Sequence, residues 1–149
     1  MFLGSQLTEG LLLVPHWKGL APEDFYGYYA EFGPSIGNYY TFLTVGAALV
    51  PVLYSVCGLY RRDSHFSYFM LSALFMVMVI VLFFIFFKNT NQQFYAADLD
   101  ATALKSTLEN WEFWHWIRIL FEMVSLVFLL FGFNTLKRKD LESNQVIRE

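Results

Sequence analysis

Polar and apolar residues fall in blocks along this chain, and three apolar blocks are long enough to cross a bilayer. They are Tyr39 to Tyr60 (YYTFLTVGAALVPVLYSVCGLY), Phe66 to Phe87 (FSYFMLSALFMVMVIVLFFIFF), and Phe113 to Phe133 within NWEFWHWIRILFEMVSLVFLLFGF. A hydrocarbon core of ~30 Å takes roughly 20 apolar residues as helix, and each block meets that length. Pro51 lies inside the first block; a kink is expected there, with neighbouring helices satisfying the carbonyl it frees. A shorter block opens the chain. MFLGSQLTEGLLLV, ahead of Pro15, is helical in character but spans only about 21 Å at 1.5 Å per residue. It lacks a basic leading region and Glu9 interrupts it, so it does not read as a signal peptide. The expectation is an all-α, integral membrane four-helix bundle whose first helix is short or truncated at its N-terminus, with Met1 downstream of the native start. Helices are placed at about 1–15, 39–60, 66–87 and 111–133, loops at 16–38 and 88–110, and a polar tail at 134–149 that frays into solvent.

Basic residues near the span ends set the orientation. Arg61 and Arg62 lie between the second and third helices, and Lys137, Arg138 and Lys139 follow the fourth. The other side carries only the scattered Lys18, Lys88 and Lys105. The C-terminus is therefore expected in the cytoplasm and the two longer segments on the outer face of a plasma (bacterial inner) membrane. The first of these, residues 16–38, is rich in Tyr, Trp and Phe, which suits the headgroup layer. Pro22-Glu23-Asp24 in it has the character of a helix start, and Asp100-Ala-Thr-Ala-Leu-Lys in the second suggests a short helix before the last span.

Composition supports this reading. The chain has 149 residues, 56% of them hydrophobic and 15% charged, against about 25% charged in an ordinary soluble domain. A net charge of −3, with no basic stripe, excludes a nucleic-acid partner. Cys57 is the single cysteine, so neither an internal disulfide nor a thiolate metal cluster is available. The partner expected is the lipid bilayer; the oligomeric state is left open.

Three ionisable residues in the last span carry the candidate chemistry. Trp111, His115, Arg118, Glu122 and Ser125 recur at intervals of three and four, which places them on one helical face. Phe113, Ile117, Phe121 and Val124 occupy the remainder and suit lipid. Counting from Trp111, Arg118 lies about 10 Å and Glu122 about 16 Å into the membrane. A central Arg costs at least ~2.5 kcal/mol, so a partner is expected. Glu122 is one candidate; Glu9, about 9 Å from the Pro15 end of the first helix, is the other. Gly4 and Gly10 would let that helix approach closely. Such a cluster either pins the helices together or marks a site, because intramembrane ionisable groups are functional by default. His16 and His115 stand at the outer ends of their helices as an alternative bis-imidazole pair for haem or copper, but no carboxylate or Cys at metal spacing accompanies them. His65, in the turn after Arg62, reads as solvated. Asn89, Asn91, Gln92 and Gln93 either cap the third helix or roof a pocket above His115.

VPHW ending the first helix, KNTNQQF ending the third and NWEFWHWIR opening the fourth together resemble the anthrone oxygenase-like family of small four-helix membrane proteins. The run W-x-x-x-H-x-x-R is matched by Trp111, His115 and Arg118, and Asn91 stands where the family has an Asn after the third helix. Lys88 and Thr90 replace the Pro usual before that Asn. The resemblance implies a cofactor-free oxygenase acting on a lipophilic aromatic small molecule with O₂. It implies His115 as the base, near-neutral titration being natural to imidazole, and Arg118 as the cation on the enolate oxygen. Trp111, Trp114, Asn91, Glu122, Glu9 and His16 would then contact the substrate. The alternative is a non-catalytic membrane protein whose His–Arg–Glu stripe is structural or binds a lipid or partner helix; a proton or anion carrier ranks last, since only Ser125 continues the stripe inward.

Overall fold

The computed structural model describes residues 1–61 and 66–146. Among them the chain is all helical: four helices, three of them long and apolar, with a short one at the N-terminus. We label these α1 (residues 2–19), α2 (Pro22–Arg61), α3 (Phe66–Ala96) and α4 (Ala101–Val146). Each long helix contains a window apolar enough to cross a membrane, and Phe42, Leu49, Leu53, Val77, Val81, Leu120, Val127 and Leu130 are all exposed along them. In water such a surface would be a liability; in a bilayer it is the lipid-facing wall.

Helix α1 changes pitch in its middle. Phe2–Thr8 is α-helical, Glu9–Leu13 is π-helical, and Val14–Gly19 returns to α. Val14 N–H reaches back to the Glu9 carbonyl, and the next residue, Pro15, has no N–H with which to continue the ladder. Leu20 is extended and ends the helix. A second π segment, Phe83–Phe87, interrupts α3; no proline accompanies it, and its sequence offers no comparable cause.

Two stretches expected as loops are helix instead. Residues 22–38 form the first turns of α2, which starts at Pro22 with Glu23 and Asp24 in its first turn, a favourable position for Pro and for acidic residues. The helix then runs on through Pro34 and Pro51, as membrane helices can. Thr41, Thr44 and Ser55 each donate to the carbonyl four residues back. Likewise KNTNQQF continues α3 to Ala96, where Ala97 in the left-handed conformation ends it. Asp100 caps α4 by accepting from the Thr102 and Ala103 N–H groups, so residues 101–110 belong to the last helix. The tail, expected to fray, is helical to Val146. Arg62 and His65 lie outside the described residues.

Aromatic packing fixes the end of the molecule where α1 meets α2 and α3 meets α4. Val14, Trp17, Phe25, Tyr29, Phe87, Phe94, Leu104, Leu108 and Trp111 form one buried cluster. Edge-to-face pairs link it, among them Phe25–Phe94 at 5.1 Å, Phe87–Trp111 at 5.2 Å and Trp17–Trp111 at 5.5 Å between centroids, the geometry the ring quadrupole prefers. Tyr26 ties the end down by donating to the Leu99 carbonyl at 2.8 Å. At Gly33 the two helices come close: a Cβ there would lie 2.9 Å from the Tyr95 hydroxyl, which would have to shift.

Candidate functional site

Directly beneath the aromatic cluster, α1 and α4 bring four polar side chains together. Arg118 Nη2 lies 2.9 Å from Glu9 Oε2, 2.6 Å from Gln6 Oε1 and 2.6 Å from His115 Nδ1. All four residues are buried, and His115 is 0% exposed. The guanidinium also lies over aromatic faces, 4.6 Å from the Phe87 ring centroid and 5.8 Å from that of Trp111. A buried charge is stable only when paired and hydrogen-bonded; here a carboxylate, an amide oxygen and two ring faces share that task.

The two partners of His115 fix its tautomer. Nε2 faces the Gln6 backbone carbonyl at 3.0 Å, and a carbonyl only accepts. Nδ1 faces Arg118, and a guanidinium only donates. His115 therefore carries its hydrogen on Nε2 and offers a lone pair on Nδ1. Its ring stacks on Trp111, 5.0 Å away and 15° from parallel. Gly10 makes this approach possible: a Cβ there would lie 3.0 Å from His115 Cδ2 and Nε2. No such need exists at Gly4, which has nothing within 4 Å.

Beside this cluster is a cavity of about 230 Å³. Glu9, Trp17 and Arg118 line it, with Asn91, Trp111, Tyr29 and Tyr40, and Thr41, Thr44, Val45, Phe83, Phe84 and Phe87 complete most of the wall. The lining is aromatic and apolar with a few polar groups, the usual makeup of a small-molecule site. Buried N–H groups without a partner among the described residues include Trp17 Nε1 and Arg118 Nε, both on lining residues. Asn91 Oδ1 accepts from Trp111 Nε1 at 3.2 Å. Both π-helical segments meet the cavity, one through Glu9 and the other through Phe83, Phe84 and Phe87, and such segments often occur at functional sites.

The expected site residues fall into three groups. Glu9, Arg118, Trp111 and Asn91 line the cavity. His115 sits behind Arg118 with both ring nitrogens engaged. His16, Trp114 and Glu122 are elsewhere: His16 is exposed and packs edge-on to Tyr28, Trp114 is over a third exposed and tilts against Phe86, and Glu122 lines a separate cavity of about 160 Å³ with Pro51, Met76 and Ser125. Among the described residues no group of three or more His, Cys, Asp or Glu is placed to hold a metal ion. Gln6 and Trp17 were not anticipated. Gln6 is legible as the polar residue three before Glu9 on an apolar helix, and Trp17 as the tryptophan of VPHW.

A sequence model of the anthrone oxygenase family matches residues 27–128. That span includes Asn91, Trp111, His115 and Arg118 and begins after Gln6, Glu9 and Trp17. No curated protein and no solved structure matches the chain.

Proposed function

The chain belongs to the anthrone oxygenase family, and from that premise we propose that it is a membrane enzyme oxidising a lipophilic aromatic molecule with O₂, without a cofactor. The observation that carries this reading is the cavity in which the Glu9–Arg118 pair meets an aromatic wall. An anthrone has an acidic ring methylene, and its enolate is electron-rich enough to react with O₂ directly. The protein needs to supply a base, a cation for the enolate oxygen and a slot for flat rings.

Glu9 is the better base of the two candidates, because Glu9 is among the residues lining the cavity whereas His115 is not and has both ring nitrogens engaged. Arg118, which lines the cavity, supplies the positive charge for the enolate oxygen in a site of low polarity, where such a group acts strongly. His115 is then a positioning residue that holds Nη2 of Arg118 in place. Glu9 removes one methylene proton, the enolate gives an electron to O₂, and the two radicals join in a C–O bond. Glu9 returns the proton to the peroxide. The hydroperoxide then loses water, leaving the second carbonyl of an anthraquinone. One O₂ is consumed and one water released per substrate. On this reading the C-terminal end, with Lys137 and Arg138, faces the cytoplasm, following the distribution of basic residues.

Purified protein in nanodiscs, given anthrone, is expected to consume O₂ and form anthraquinone, and Glu9→Gln and Arg118→Lys are each expected to lower the rate by about 10²-fold or more. A folded wild-type protein that does not accelerate the oxidation of anthrone or of ring-substituted anthrones would overturn the proposal.

A further inference from the structure

The cavity has one wall inside the protein and another facing lipid. Trp17, Tyr29, Phe87 and Trp111 belong both to its lining and to the buried aromatic cluster, so the end nearest the inter-helix turns is closed. On the other side the lining residues Thr41, Val45, Phe83 and Phe84 are exposed, Val45 to 51% and Phe84 to 61%. These four come from α2 and α3. The two helices are pinned above this point by Tyr29 against Tyr95, 4.8 Å between centroids, and below it by Tyr54 stacked on Phe69 at 4.9 Å. Between the pins the cavity reaches the surface.

The depth of that opening follows from its neighbours. Lys88 Nζ lies 5.9 Å from the Phe84 ring centroid. A lysine near the end of a membrane helix carries its ammonium to the headgroup layer. Phe84, whose ring the ammonium reaches, therefore stands at the inner edge of that layer, and Ile80, also in the lining, is about 6 Å deeper. Leu49 and Leu53 on α2 and Val77 and Val81 on α3 continue the exposed apolar surface from the opening. Below Phe84 its rim therefore meets acyl chains, not water.

We propose that the cavity is loaded and emptied sideways from the bilayer through a portal between α2 and α3 framed by Thr41, Val45, Phe83 and Phe84. This rests on the cavity being the substrate site. Its substrates are then flat aromatic molecules dissolved in the membrane, and water-soluble conjugates of the same rings are excluded. The portal also separates two tasks: aromatic residues at the rim select for flat, uncharged rings, and the polar lining residues Glu9 and Arg118 orient the ring oxygens once inside. Molecular oxygen, which also concentrates in hydrocarbon, shares the route.

Anthraquinone binding, followed in nanodiscs as quenching of Trp17 and Trp111 fluorescence, tests this. The double variant Thr41→Phe/Val45→Phe narrows the portal; Leu49→Phe/Leu53→Phe adds the same bulk to the lipid-facing surface of the same helix. The first is expected to slow association by at least about tenfold and the second by less than about twofold, as expected for a step limited by access. Equal rates in both variants would overturn the portal while leaving the site intact. Absence of saturable quenching in the wild type would instead remove the substrate-site reading and the portal with it. A second measurement needs no bulky variant. With Cys57→Ser as background, Val45→Cys in membranes is expected to react with a lipophilic pyrene maleimide and to be protected by anthraquinone, whereas Leu53→Cys reacts equally with or without it. Unprotected Val45→Cys, in protein whose tryptophans are quenched, would place the route elsewhere.

Discussion

Arg118 and Glu9, 109 positions apart in sequence, meet at 2.9 Å between Nη2 and Oε2 with both side chains buried. This pair joins the short N-terminal helix to the last one, and its energetics follow from its burial. Removing one partner strands the other charge in a medium that cannot solvate it. Arg118→Met is expected to cost about 3–5 kcal/mol, and Glu9→Leu/Arg118→Met to recover most of that loss, as buried pairs elsewhere do when both charges are replaced. Thermal unfolding of the two variants in one detergent decides it; a double variant no more stable than Arg118→Met would mean that the ionic contact is not what couples the helices.

The His115 tautomer is open to direct observation. With a carbonyl 3.0 Å from Nε2 and a guanidinium 2.6 Å from Nδ1, the hydrogen belongs on Nε2. Nitrogen-15 spectra of histidine-labelled protein are expected to show one ring with a protonated Nε2 and a bare Nδ1. An Nδ1–H signal from His115 would refute the arrangement.

Two of the glycines of α1, Gly4 and Gly10, make opposite predictions. A methyl at Gly10 would lie 3.0 Å from the His115 ring and 3.3 Å from Trp116, so Gly10→Ala is expected to destabilise by about 1–3 kcal/mol through overpacking. Gly4 has open space within 4 Å, and Gly4→Ala is expected to be neutral or to stabilise by up to about 1 kcal/mol through helix propensity. Similar melting shifts for both would contradict the close approach of α1 to α4.

Much of this was legible in the sequence for identifiable reasons. Three apolar blocks of spanning length are sufficient to show three long helices, and the spacing of Trp111, His115 and Arg118 is sufficient to put them on one face. The depth of Glu9 in α1 anticipated its level against Arg118. Hidden from the sequence were features that depend on tertiary partners. Gly27, Gly33, Pro34 and Gly37 are weak helix formers in water, yet α2 runs through all four, and only Gly33 among these glycines packs on another helix, against Tyr95 of α3. The choice of Arg118 between Glu9 and Glu122 was also hidden. Helical side chains lean toward the N-terminus of their own helix, which carries the Arg118 guanidinium up to the level of His115, where Gln6 and Glu9 wait.

That choice leaves Glu122 alone, and its isolation gives a prediction of unusual sign. Glu122 is 3% exposed, and neither carboxyl oxygen has a hydrogen-bond partner among the described residues. A buried polar group without a partner costs about 1–3 kcal/mol, and an apolar group of similar shape removes that cost. Glu122→Leu is therefore expected to raise stability by about 1–2 kcal/mol, while Ser125→Ala, which breaks the 3.0 Å contact with Ser72 and the bond to its carbonyl, lowers it. If Glu122 instead held Arg118 in place, Glu122→Leu would destabilise as strongly as loss of Glu9. The comparison of Glu122→Leu with Glu9→Leu by thermal unfolding thus separates a carboxyl that anchors the guanidinium from one that the fold tolerates beside its smaller cavity.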